Sequence, residues 1–173
     1  VMGLRPGRAM RTLERPYTRV SKSVQRKSYV VGVPFPKLHQ FEMGTKAGNF
    51  DTVVYGVARD SIQMRDPSLE AARIVSHKFL ESTIGATNYF MKILVYPHQV
   101  IREKPIATGA GADRYSQGMA RAFGKPATSA VQTSKGKRII ELRVHKNNLK
   151  IAKLAIKKFS LKVSTPVRVV VEE

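Results

Sequence analysis

Positive charge in this chain is concentrated in two stretches, and that segregation limits what each part can become. Residues 1–27 hold eight Lys and Arg against Glu14 alone, a net +7. Residues 135–162 hold ten against Glu141 alone, a net +9. The whole 173-residue chain carries +19. A free protein of this size gains nothing structural from that much self-repulsion. Residues 28–134 hold twelve cations and eight acids, an almost balanced domain. The expected organisation is a basic N-terminal arm over residues 1–28 and one domain over 29–173 whose last third is also basic. So much excess charge implies a polyanionic partner. Cysteine is absent, which excludes a disulfide framework, a Cys-ligated zinc site and a thiol nucleophile. No window approaches 18 consecutive apolar residues, so no membrane span is expected. The N-terminal arginines are not followed by an apolar stretch, so no signal peptide is expected.

The arm shows no packing period, and Gly3, Pro6, Gly7 and Pro16 interrupt any continuous helix. It reads as extended and ordered by its partner. Beyond it, Ser28–Phe35 is short and β-prone, and Lys37–Met43 and Val53–Gln63 read as strands. Asp66-Pro67-Ser68 opens the clearest helix, with Asp66 as N-cap, Pro67 at the first helical position and Gly85 as the stop. Its core stripe is Leu69, Ala72, Val75 with Ser76, Phe79, Leu80 and Thr83. Tyr89–Tyr96 reads as a strand and Gln99–Arg102 continues extended. Thr128–Gln132 and Arg138–Val144 read as two strands joined by a Ser134-Lys135-Gly136-Lys137 turn. A second helix runs from Asn147 or Asn148 to Phe159 with the stripe Leu149, Ala152, Ala155, Ile156 and Phe159. Pro166–Val171 closes the fold as a strand. Strands and two helices alternate without βαβ regularity. The expected class is therefore α+β, with a compact mixed or antiparallel sheet and two helices.

Ile106 to Gly118 is a loop of small residues with little apolar surface to offset its ordering entropy, so it is expected to be mobile in the isolated protein. Gly109-Ala110-Gly111 is only a fragment of a dinucleotide fingerprint, because Arg114 stands where the third glycine belongs. The spacing from Gly118 to Gly124-Lys125 is one residue too long for a phosphate loop, and Pro126 replaces its metal-holding hydroxyl. A better physical reading is that small residues let backbone approach a crowded surface, while Arg102, Lys104, Arg114, Arg121 and Lys125 meet phosphates. Lys150, Lys153, Lys157 and Lys158 line the second helix opposite its apolar stripe, among Lys135, Lys137, Arg138, Arg143, Lys146 and Lys162. The four histidines lack metal-ligand spacing, and no nucleophile motif accompanies the acids. No catalytic residue, metal or cofactor is expected.

Five motifs occur in order: Leu4-Arg5-Pro6-Gly7-Arg8; Leu69-Glu70-Ala71-Ala72-Arg73-Ile74; Pro97-His98-Gln99-Val100-Ile101-Arg102; Gly109-Ala110-Gly111-Ala112-Asp113-Arg114; and Gly118-Met119 through Ala122-Phe123-Gly124-Lys125-Pro126. Together they resemble the archaeal and eukaryotic large-subunit ribosomal protein family L-ten-e, counterpart of bacterial large-subunit protein sixteen. The resemblance spans nearly the whole chain and is most specific from Pro97 to Pro126. One departure is Ala120, which stands before Arg121 where the family carries arginine directly after Gly-Met.

The resemblance implies a hammerhead-type α+β body in the large subunit of the cytoplasmic ribosome, with an archaeal source favoured. It implies binding to large-subunit rRNA near the central protuberance and the A-site tRNA corridor, beside neighbouring ribosomal proteins, without membrane contact or homo-oligomers. The implied rRNA ligands are Arg5, Arg8, Arg11, Arg15, Arg19, Lys22, Arg26 and Lys27 in the arm. In the body they are Arg102, Lys104, Arg114, Arg121, Lys125, Lys135, Lys137, Arg138, Lys146 and Lys150. Loop 104–116, with Thr108, Gly109, Ala110, Gly111, Ala112 and Asp113 at its tip, would point toward the peptidyl-transferase centre and P-site tRNA. Composition alone reaches only a non-catalytic polyanion binder. It leaves open a free RNA-binding assembly factor, an RNA-modification protein or a chromatin protein.

Overall fold

A computed structural model of the chain describes residues 30–172 together with Pro6 and Leu13. The expected extended arm, its eight cations and the start of the Ser28–Phe35 segment lie outside the described residues. From residue 30 to residue 41 there is a turn and irregular backbone but no strand. The first strand, β1, is only Glu42–Gly44. Pro34 and Pro36 offer no N–H to a ladder, and the Lys37 N–H is taken by the Asp66 carboxylate at 2.9 Å. These constraints shorten the expected Lys37–Met43 strand to its last residues.

The single expected strand Val53–Gln63 is two: β2 (Thr52–Ala58) and β3 (Ile62–Arg65), which belong to different sheets. The chain leaves the first sheet at Arg59, whose N–H bonds the Pro166 carbonyl at 3.1 Å. β4 (Tyr89–Ile93), β7 (Arg138–Val144) and β8 (Val167–Glu172) complete a five-stranded sheet in the order β1-β4-β7-β2-β8. β5 (Gln99–Glu103) and β6 (Lys125–Thr133) complete a three-stranded sheet in the order β3-β6-β5. Every pairing is antiparallel, which settles the expected mixed-or-antiparallel alternative.

The alternating burial of β2 shows why two helices cover one face of the larger sheet. Thr52, Val54, Gly56 and Ala58 point inward, and their cross-strand partners Val144, Leu142 and Ile140 on β7 do the same. α1 (Asp66–Ile84) and α3 (Leu149–Ser160) lie on that face and against each other. Small residues let them approach: Ala72 and Ser76 on α1 face Ala152 and Ala155 on α3. The Ser76 hydroxyl donates to the Ala72 carbonyl at 2.9 Å and reaches the Ala155 carbonyl at 3.3 Å. Gly56 serves the same closeness at the sheet, since a Cβ there would sit 2.5 Å from the Ile140 side chain and 3.3 Å from that of Ile156. Phe159, Leu69, Leu80, Tyr89, Met91, Ile140, Leu142 and Ile156 fill the layer between. A third, one-turn helix, α2 (Ala112–Tyr115), lies inside the stretch read as loop.

Both helix stripes fall where the spacing places them, except that Val75, Phe79 and Leu149 are only half-buried and Thr83 is exposed. Lys158 accounts for the position of Phe79, holding its ammonium 3.6 Å from the centre of that ring. Asp66 occupies the first helical position and Arg65 the cap. Asn148 borders α3 without a side-chain capping bond.

Burial raises the Asp66 carboxyl above its ordinary value, with backbone N–H donors, chiefly from Lys37, opposing the shift. A carboxyl that binds its proton more tightly when folded loses native stability as pH rises from the unfolded toward the folded pKa. The Tm of Asp66→Asn relative to the unsubstituted protein should therefore rise as pH increases from about 4, the unfolded value, through the raised folded value. A difference that stays constant over that range would show that the folded carboxyl titrates normally.

Candidate nucleic-acid interface

The cations fall into two groups that their sequence positions do not reveal. The first, Lys92, Arg138 and Arg143, lies on the sheet face that no helix covers, and each is matched by an acid or a ring, whereas Arg168 on the same face is not. Arg138 pairs with Glu172 and sits 4.0 Å from the centre of the Tyr55 ring. Arg143 pairs with Glu141 at 2.6 Å and lies over Phe90. Lys92 meets Glu42 at 2.7 Å. The register brings these groups together: Lys92 and Glu141 are cross-strand partners, as are Phe90 and Arg143. Lys92, Arg138 and Arg143 are thus compensated within the fold, although Arg138 belongs to the set read from sequence as RNA-binding.

The second group has no acidic partner among the described residues. It includes Arg114 and Arg121 in the β5–β6 connection, Lys125 at the start of β6, and Lys135 and Lys137 in the β6–β7 turn. It also includes Lys146 just before α3 and Lys150, Lys153 and Lys157 on its outer face. All are exposed. Lys157 also lies in the last turn of α3, where cations favour the helix dipole.

The β5–β6 connection is built in two stages. Its neck is braced by Arg102, whose guanidinium donates to the Gly124 carbonyl at 3.1 Å and lies 4.5 Å from the centre of the Phe123 ring. Lys104 donates its ammonium to the Arg121 carbonyl. Arg102 and Lys104 therefore tie the neck together, and their reach toward an external phosphate is correspondingly reduced. Gly124 permits the close approach, because a Cβ there would lie 2.7 Å from the Glu103 backbone. A cleft of about 380 Å³ opens at this neck between Lys104, Arg121, Phe123 and Lys125. Beyond the neck, the Ala107 N–H meets the Ser116 hydroxyl at 3.3 Å, which brings the two limbs of the outer loop together.

Thr108, Gly109, Ala110 and Gly111 are exposed at the tip, while Ala112 and Asp113 begin α2. The short helix corrects the reading of the whole segment as irregular, since Ser116 N–H closes on the Ala112 carbonyl at 2.9 Å. Sequence reasoning misses three side chains here. Tyr115, Met119 and Phe123 are 86%, 68% and 74% exposed. Large apolar groups set among Arg114, Arg121 and Lys125 form a surface on which unpaired bases can stack while phosphates are neutralised. The available signal is an aromatic or methionine every four residues through a basic stretch.

The histidines have structural partners. His77 Nδ1 meets the Tyr89 hydroxyl at 2.6 Å, and burial, with Glu81 nearby, pushes that phenol up to about 12. His145 lies 3.4 Å from Asp51 and beside the Phe50 ring. Among the described residues no three His, Asp or Glu side chains gather in a way that could hold a metal ion.

A family model described as ribosomal protein L16p/L10e matches residues 14–170. The large ribosomal subunit protein uL16 of Archaeoglobus fulgidus is 40% identical over 172 residues, covering 99% of this chain and 95% of the relative. That of Picrophilus torridus is 44% identical over 158 residues, covering 91% and 90%. That of Staphylothermus marinus is 42% identical over 170 residues, covering 98% and 94%. With a match of that length beneath an α+β body whose unpaired cations cluster on one loop, one turn and one helix, the chain belongs to the L16p/L10e family of ribosomal proteins.

Proposed function

We propose that the unpaired cations are the rRNA-binding surface of a structural constituent of the large ribosomal subunit, a protein that performs no chemical step. Family membership makes the chain such a constituent of the cytoplasmic ribosome, associated with large-subunit rRNA and other ribosomal proteins. The finer placement is our reading. The body sits near the central protuberance beside the A-site tRNA corridor, and loop 104–116 reaches toward the peptidyl-transferase centre and P-site tRNA. The arm and the C-terminal third neutralise phosphates where RNA helices crowd, releasing counterions. Arginine suits that task because its planar fork bridges phosphates and stacks on bases.

The observation that carries this reading is the sorting of the cations. Lys92, Arg138 and Arg143 on the open sheet face are neutralised internally, and Arg114, Arg121, Lys125, Lys135, Lys137, Lys150, Lys153 and Lys157 are left for a partner. Binding of the full chain to large-subunit rRNA, titrated with salt, tests it. Affinity should fall steeply with salt and should exceed affinity for duplex DNA of equal length. Deleting residues 1–27 should flatten the slope of log affinity against log salt by several units, at about 0.9 for each phosphate that is no longer neutralised. An unchanged slope would remove the arm from the interface, and equal affinity for duplex DNA would favour a chromatin protein.

A further inference from the structure

The two sheets are stitched together at one seam, and the seam encloses a pocket that the loop and helix surfaces do not explain. The chain crosses between the sheets four times, and two of these crossings meet here: at Arg59 between β2 and β3 and at the Ser134–Lys137 turn between β6 and β7. The start of β8 meets the same point. Four bonds hold the crossing: Ala58 N–H to Lys137 carbonyl at 2.9 Å, Gly136 N–H to Ala58 carbonyl at 2.9 Å, Arg59 N–H to Pro166 carbonyl at 3.1 Å, and Lys135 N–H to the Ser61 hydroxyl at 3.0 Å. Within it lies a cavity of about 540 Å³, inside the ~300–1,000 Å³ range of small-ligand sites. Val57, Ala58, Pro166 and Val167 give it an apolar lining. Each of the three converging segments adds one cation to the rim: Arg59, Lys135 and Arg168.

None of the three cations has an acidic partner among the described residues. Three unpaired cations around an apolar pocket is not an arrangement that core packing calls for. It matches a ligand that is apolar and flat at one end and anionic at the other. Resting on the reading that this chain binds rRNA, we propose that the seam takes one unstacked nucleotide of large-subunit rRNA. Its base would lie against Val57 and Pro166, and its flanking phosphates would meet Arg59, Lys135 and Arg168. The Ala58 N–H and carbonyl and the Arg59 N–H are already spent on the seam itself, so they cannot read a base edge. The pocket therefore holds a base by shape and stacking and tolerates more than one base identity.

The test uses the full chain bound to the large-subunit rRNA of its own organism, probed with base-modifying reagents that between them cover all four bases. Val57 is half-exposed on the sheet face away from the helices, so Val57→Phe fills the pocket without entering the core; thermal unfolding checks that it folds. Filling should unmask one nucleotide that the unsubstituted protein shields and leave the rest of the footprint unchanged. It should weaken binding roughly tenfold at unchanged salt slope. The combined Arg59→Gln, Lys135→Gln and Arg168→Gln variant should flatten the slope by about three units. If Val57→Phe alters neither reactivity nor affinity, the base pocket is wrong, even if the charge variant behaves as expected. An unchanged slope in the charge variant would likewise overturn the phosphate contacts. Absence of any rRNA binding by the unsubstituted chain would instead refute the function proposed above.

Discussion

Phe159→Ala should cost about 3–5 kcal/mol of folding stability and lower Tm by about 6–20 °C, measured by denaturant and thermal unfolding of the isolated chain. Phe159 is 0% exposed and belongs to the main core between α3 and the five-stranded sheet. Its removal leaves a cavity that Ile156, Ala155 and the sheet residues cannot close without moving. Domains of this kind are stable by about 5–15 kcal/mol, so this one change removes a large share. Phe79→Ala on α1 should cost less, because half-burial leaves less surface to give up and the Lys158 contact lies at the solvent edge. If the two substitutions cost the same, α1 is seated more deeply than its contacts indicate. A destabilisation below about 1 kcal/mol at Phe159 would mean that α3 does not anchor the body.

The contrast between these phenylalanines shows how far sequence reading extends into the fold. Both helices are legible because apolar residues recur at helical spacing over 12 to 19 residues. Periodicity says which face points inward but not how deep each position lies, and that is why it overstates the burial of Phe79. The split of Val53–Gln63 is hidden for another reason. β2 and β3 are both extended with only Arg59-Asp60-Ser61 between them, and the tertiary bond from Arg59 to Pro166 marks where the first ends. α2 escapes notice because one turn within small residues carries no periodic signal.

The candidate site is legible as charge and obscure as geometry. Lys135, Lys137, Arg138 and Arg143 look alike in sequence, yet the strand register sends Arg138 to Glu172 and Arg143 to Glu141 while the turn leaves the two lysines free. Arg59 and Arg168 do not stand out, because 109 residues separate them in sequence and only the seam brings them together. Its basic neighbours mark Arg102 as a phosphate ligand, whereas its bond to Gly124 and its ring contact with Phe123 make it a brace. Charge density along a chain thus points to a partner's chemistry. Which cations are available to that partner depends on cross-strand pairing, which local sequence does not encode.

Replacing residues 108–115 by Asn-Gly should leave assembly into the large subunit nearly intact while weakening P-site tRNA binding roughly tenfold, the equivalent of one or two good hydrogen bonds. The replacement is geometrically mild. The Ala107 N–H already meets the Ser116 hydroxyl at 3.3 Å, and a two-residue turn suits limbs that start so close. The bonds from Arg102 to Gly124 and from Lys104 to Arg121 lie below the cut and keep the neck closed. Among the cations of the neck and loop, only Arg114 is removed, so most phosphate contacts survive and the salt dependence of rRNA binding should fall by no more than about one unit. The deletion takes away the exposed tip, α2 and the Tyr115 ring, the parts that extend furthest from the body's own hydrogen bonds. Co-sedimentation through high salt measures assembly, and tRNA binding to the same particles measures function. If the shortened protein fails to enter the subunit while the few particles containing it bind tRNA normally, the loop is an assembly anchor and its assignment to tRNA is wrong. If both readouts match the unsubstituted chain, the loop touches neither partner, and contact with tRNA must come from Met119, Arg121 and Phe123 at the neck.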